Sequence, residues 1–102
     1  MYDDTIAAIA TAPGEAGLAV VRISGPGSRE LLERVFRPGR RGRLVARRLT
    51  YGWVVDSASG ERLDQVLAVL MPGPRSFSGE DLAEIHCHGG QQSPSRVLAG
   101  CV

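Results

Sequence analysis

Residues 63–90, LDQVLAVLMPGPRSFSGEDLAEIHCHGG, decide how this chain is to be read. Leu63 to Met71 are nearly all apolar, and an apolar run of that length bounded by a turn suits a central strand covered on both faces. Pro72, Gly73 and Pro74 then end the run. Beyond the loop, AEIHCH (83–88) fits strand or helix by periodicity alone. The β-branched Ile85 and the stop at Gly89 and Gly90 favour strand. Two strands joined through a proline- and glycine-rich loop place a sheet at the centre of the fold.

Working outward, TIAAIAT (5–11) and LAVVRIS (18–24) are short β-prone runs separated by PGEAG, which predicts a strand pair. In GPGSRELLERVF, Pro26 suits a first helical turn. Leu31, Leu32, Val35 and Phe36 recur at helical spacing, with Arg29, Glu30, Glu33 and Arg34 left for solvent. RPGRRGRLVARR (37–48) breaks the periodicity and predicts a basic loop; RLTYGWVVD resumes as a strand, and DSASGE (56–61) is a polar turn. Ser93 offers an N-cap oxygen and Pro94 a fixed φ, so a second helix is predicted to begin there. Only nine residues run from Pro94 to Val102, fewer than the roughly 12 to 15 that make an isolated helix even marginal in water, so the domain is expected to be clipped inside its last element. The order β, β, α, β, β, β, α predicts one α+β domain over 1–102, a mixed β-sheet with flanking helices.

The length allows one small domain, and no apolar run approaches the roughly 18 residues needed to span a membrane. The start, MYDDTIAAIAT, has two acids and no basic residue, unlike a secretory or transit signal, so cytoplasmic residence is the expectation. Cys87 and Cys101 do not make a disulfide framework, and neither is read as reactive. All twelve basic residues are arginine. Without lysine there is no G-x-x-x-x-G-K-[ST] phosphate loop and no Schiff-base amine, so this chain alone is not a Walker-type nucleotidase.

His86 and His88 lie two apart, on one face of a strand, with Cys87 on the other. Two imidazoles fall short of the three or four protein ligands zinc takes, so no metal is expected. A bland reading makes the histidines hydrogen-bonding supports at a strand end. SFSGED (76–81) can present a carboxylate at the rim of a sheet, or Ser78 or Asp81 can simply cap a short turn. Arg22, among apolar neighbours in LAVVRIS, must face solvent or be paired, because an unpaired buried charge costs several kcal/mol. Seven arginines between Arg34 and Arg48 can attract RNA phosphates, but no aromatic residue is interleaved for base stacking, which favours a solvated linker.

Taken together, DTIAAIAT, PGEAGLAVVRISGP and LDQVLAVLMPGPRSFSGEDLAEIHCHGG resemble the N-terminal domain of the bacterial tRNA modification GTPase family called MnmE or TrmE, over residues 3–90 in order. The resemblance implies a tetrahydrofolate-binding, homodimer-forming domain similar in fold to the tetrahydrofolate-binding domain of glycine-cleavage T-protein. It also implies a parent protein that, with an FAD-dependent partner (MnmG, or GidA), modifies the wobble uridine of certain tRNAs using a one-carbon unit from a folate such as 5-formyltetrahydrofolate. The family's helical and GTPase domains are absent from this chain, which is expected to have no catalytic residue of its own. Carried over, Arg22 and Glu80 match positions expected to contact the folate, and His86 and His88 become supports near the pocket. The other readings are a small RNA-binding or interaction module using the Arg34 to Arg48 loop, and an inactive truncated fragment.

Overall fold

Alternation of side chains along two neighbouring strands sorts this sheet into a packed face and an open one. A computed structural model describes residues 4–10, 18–39, 42–74, 79–88 and 92–101. In chain order these form β1 (Ile6–Ile9), β2 (Leu18–Ser24), α1 (Ser28–Val35), β3 (Phe36–Pro38), β4 (Thr50–Val55), β5 (Arg62–Met71), β6 (Leu82–His88) and α2 (Gln92–Cys101). The six strands lie in the order β1-β2-β6-β5-β4-β3, and every described pairing is antiparallel. The α+β class therefore holds. β1 and β2 pair as expected, α1 carries the chain to the far edge, and β3 to β6 return as a meander that closes on β2.

In β2, Ala19, Val21 and Ile23 are buried while Leu18, Val20, Arg22 and Ser24 take the other face; in β6, Ala83, Ile85 and Cys87 are buried opposite Glu84, His86 and His88. The buried set merges with Leu32 and Val35 of α1 and Val97 and Cys101 of α2 into one core. Each of its larger aliphatic side chains contributes about 1.5–3 kcal/mol by leaving water. Both helices pack on this face. Among the described residues none covers the opposite face, where Leu18, Tyr51 and Leu67 are 53%, 47% and 40% exposed. The expectation that β5 is covered on both faces is thus corrected at Leu67. An antiparallel meander needs no crossover helices on its second face, so an apolar-rich strand can leave that face open.

Three local expectations shift. β3 was not foreseen: α1 runs straight into it, and Pro38 is tolerated because the strand is an edge. Pro26 precedes α1 rather than opening it; Gly27 occupies the N-cap position and its N–H donates to Thr5 Oγ1 at 2.8 Å. α2 begins at Gln92, so Pro94 is its third residue, still in the first turn where N–H groups have no helical partner. The PGEAG turn, Ser76 to Ser78, Gly89 and Gly90, and the cap proposed for the Ser93 side chain lie outside the described residues. The 56–61 turn is present, with Asp56 Oδ1 accepting from the N–H groups of Ala58 and Ser59.

At one end of the sheet the loops are tied together. Ser28 is fully buried and its Oγ donates to Gly25 O at 2.7 Å; Gly25 N–H donates to Asp81 O, and Gly73 N–H to Asp81 Oδ1 at 2.9 Å. These bonds fix where β2 ends and β6 begins, and so hold the register between them. No helix among the described residues is long and apolar enough to cross a membrane.

Candidate functional site

That register places Arg22 directly across from Glu84, and Val20 across from His86, on the open face. Arg22 Nε and Nη2 both donate to Glu84 Oε2, at 3.0 and 2.7 Å, while His86 Nε2 lies 3.0 Å from Glu84 Oε1. One carboxylate thus bridges two cationic or cation-capable groups, each engaging a different oxygen. Glu84 is the most enclosed of the three, its side chain 15% exposed against 22% for His86 and 41% for Arg22. Arg22 Nη1 has no partner among the described residues. The apolar neighbourhood of Arg22 is explained by this pairing.

Burial disfavours the charge on Glu84, but hydrogen bonds from His86 and Arg22, helped by their charges, outweigh it and hold the carboxyl below its usual range. A carboxyl depressed in the folded state contributes stability that is present above the unfolded-state value, near 4.5, and is lost as pH falls through the folded-state value. Urea melts of the chain and of Glu84→Gln, at about pH 6 and about pH 3, are therefore expected to differ more at the higher pH. A gap that stays constant contradicts the assignment.

Beside this cluster lies a shallow depression of about 330 Å³, walled by Leu18, Tyr51, Gln65, Leu67, His86 and His88. His86 belongs to both. His88 is more exposed, with Nδ1 3.6 Å from Asp64 Oδ1. The two histidines share a face and Cys87 is buried on the other, as the strand period predicts. Among the described residues no three His, Cys, Asp or Glu side chains gather into a metal set. Burial pushes the Cys101 thiol up to about 11, against a smaller opposing pull from Arg34, so its reactive thiolate is scarce at neutral pH.

The acids of SFSGED separate. Asp81 is the loop latch described above. Glu80 is exposed, at the bend that follows Gly79, before β6 begins. Arg22 therefore meets Glu84, a residue the sequence reading passed over. The arginine run also divides: Arg37 Nη1 donates to the Glu33 and Arg34 carbonyls at the end of α1, and Arg47 donates to Leu70 O through its backbone and to Pro72 O through Nη2. These two are fastened to the fold rather than held out in a linker.

Comparison with known proteins places this geometry in a family. The model of the GTP-binding protein TrmE N-terminus matches residues 5–102. Among curated relatives, the tRNA modification GTPase MnmE of Roseiflexus castenholzii is 58% identical over 98 residues, covering 96% of this chain and 21% of the relative. The proteins of the same name from Symbiobacterium thermophilum and Geobacter sulfurreducens are 54% and 52% identical, each covering 96% of the chain and 22% of the relative. The chain thus spans about a fifth of the length of these relatives. With a continuous match from Thr5 to the end and more than half of its residues shared with such relatives, this chain belongs to the TrmE N-terminal domain family.

Proposed function

We propose that this chain is the tetrahydrofolate-binding and dimer-forming domain of a cytoplasmic tRNA wobble-uridine modification protein of the MnmE type, acting with an FAD-dependent MnmG-like protein and tRNA. GTP hydrolysis is assigned to other parts of such a protein, since these 102 residues contain no lysine. The observation that carries the reading is the Arg22, Glu84 and His86 cluster on the sheet face that no described residue covers.

The residues suit a reduced folate. A pterin presents a 2-amino group beside a ring N–H, and a carboxylate accepts such a pair with two parallel, charge-assisted bonds. Glu84 Oε2 already accepts both Arg22 bonds and Oε1 the His86 contact, so Oε1 keeps one acceptor position and a pterin's second N–H takes the place of one Arg22 bond, freeing that nitrogen for the ligand. Arg22 Nη1 is available to a ligand carbonyl or carboxylate, and Leu18, Leu67 and Tyr51 offer apolar surface to aromatic rings. Glu80, the carboxylate to which the family resemblance pointed, enters the proposal as a contact at the rim. When bound, such a folate supplies the one-carbon unit.

Titration calorimetry with 5-formyltetrahydrofolate tests this. Saturable binding is expected, weakened about tenfold or more by Arg22→Ala, and sedimentation is expected to show a dimer. Binding that is undetectable both here and in a form extended through the family's downstream domains rejects the folate reading.

A further inference from the structure

Two partners of different kinds hold the Glu84 carboxylate. Arg22 reaches it from the neighbouring strand, with two nitrogens on Oε2, and its side chain is 41% exposed. His86 reaches it from the same strand, with Nε2 3.0 Å from Oε1 and a side chain 22% exposed. Residues two apart on a strand share a face through the backbone itself, so this second contact does not depend on pairing with β2. A ring with two torsions also loses less freedom on being held than a long guanidinium side chain does. Across from His86 stand Val20 of β2 and Leu67 of β5, and Tyr51 and His88 share the depression with it. The titratable groups facing it are therefore Glu84, Tyr51 and His88, with Asp64 behind His88 and Arg22 behind Glu84. Among the described residues, Glu84 is the hydrogen-bond partner of its ring.

We propose that His86 is the positioning residue for Glu84, holding Oε1 in place while Arg22 gives up one of its bonds on Oε2 to the ligand. The inference rests on the folate reading above. The imidazole donates its Nε2–H to Oε1, which a neutral ring with its proton on that nitrogen does as well as a charged one. The terminal torsion of a glutamate is broad, so a carboxylate left with the exchanging arginine alone can swing. Two parallel bonds to a pterin's adjacent donors require its plane to be fixed. Burial raises the Glu84 carboxyl, and the largest influence opposing it is the His86 hydrogen bond, ahead of that from Arg22. His86 thus acts through Glu84: the carboxylate meets the ligand, and the imidazole sets how.

A double-mutant cycle, read by titration calorimetry with 5-formyltetrahydrofolate, tests this. His86→Ala is expected to weaken binding about tenfold in the native background, as for a lost hydrogen bond to a charged group, and by about twofold or less beside Glu84→Gln. His86→Gln, which keeps an N–H donor at the end of the side chain, is expected to stay within about threefold of the native affinity. A second arm needs no folate. In carbon NMR titrations the Glu84 carboxyl is expected to titrate at higher pH in His86→Ala, because a donor to its charged form is lost, and to return toward its native position in His86→Gln. His86→Leu, which keeps bulk against Leu67, is measured beside alanine, and thermal melts show that each variant is folded. A native chain that binds no folate rejects the folate reading, and the carboxyl titration then decides the role of His86 alone. Two results overturn the proposal: equal losses of affinity from His86→Ala in both backgrounds, or a Glu84 carboxyl that titrates at the same pH with and without the imidazole.

Discussion

Replacing Gly52 by alanine is expected to cost 3 kcal/mol or so, lowering the melting temperature by roughly 12–24 °C, or to prevent folding outright. A Cβ at this position falls 2.2 Å from the carbonyl oxygen of Arg37 and 2.7 Å from two ring carbons of Phe36. The first clash is with backbone and cannot be relieved by a rotamer change. The second is with a side chain only 3% exposed, in a core packed as densely as an organic crystal. β3 would have to peel from β4, taking with it the end of α1 to which it is fused. With total stability of such domains about 5–15 kcal/mol, that loss is severe. Gly60 is the comparison: its φ of +77° strains an alanine, but nothing lies within 4 Å of the added carbon, so about 1 kcal/mol is expected. Equal losses in thermal melts of the two variants contradict the packing of β3 against β4 described here.

At Glu84 the expected result is a split between stability and affinity. Glu84→Gln removes the anion from between Arg22 and His86, yet Arg22 is 41% exposed and turns readily to water, so the stability change near neutral pH is expected to stay within about 1 kcal/mol. Folate affinity, by contrast, is expected to fall roughly 10- to 100-fold, because a neutral amide offers one acceptor and one donor where two ligand N–H groups need two acceptors. Glu80→Gln is expected to cost only a few-fold, as befits an exposed carboxylate at the rim. Titration calorimetry with 5-formyltetrahydrofolate, paired with a melt for each variant, reads both quantities. The reverse ranking, with Glu80 dominant and Glu84 silent, returns the pterin to the loop before β6.

Most strands could be read from the sequence because their signals are local. Leu18 to Ser24 carries its own alternation, and Pro72, with its fixed φ and no N–H, marks the end of β5 at Met71. What escaped depends on distance. β3 is three residues with a proline, and exists only because α1 delivers it alongside β4. The partner of Arg22 is 62 residues away, and only the β2 to β6 register shows that the one charged residue inside LAVVRIS meets the one acid inside AEIHCH. The same applies to Trp53, which no arginine adjoins in sequence, while in space the Arg62 guanidinium lies over its ring. Glu80 is legible through the motif around it, whereas Glu84, four positions later, stands out only once the strand pairing points it at an arginine.

Crystals of the chain grown with 5-formyltetrahydrofolate provide the most direct measurement. The pterin is expected on the uncovered face, with its paired nitrogen donors at hydrogen-bond distance, about 2.7–3.0 Å, from the Glu84 carboxylate and Arg22 alongside. A ligand bound elsewhere, with the contact between Arg22 and Glu84 undisturbed and that face open to water, contradicts the assignment.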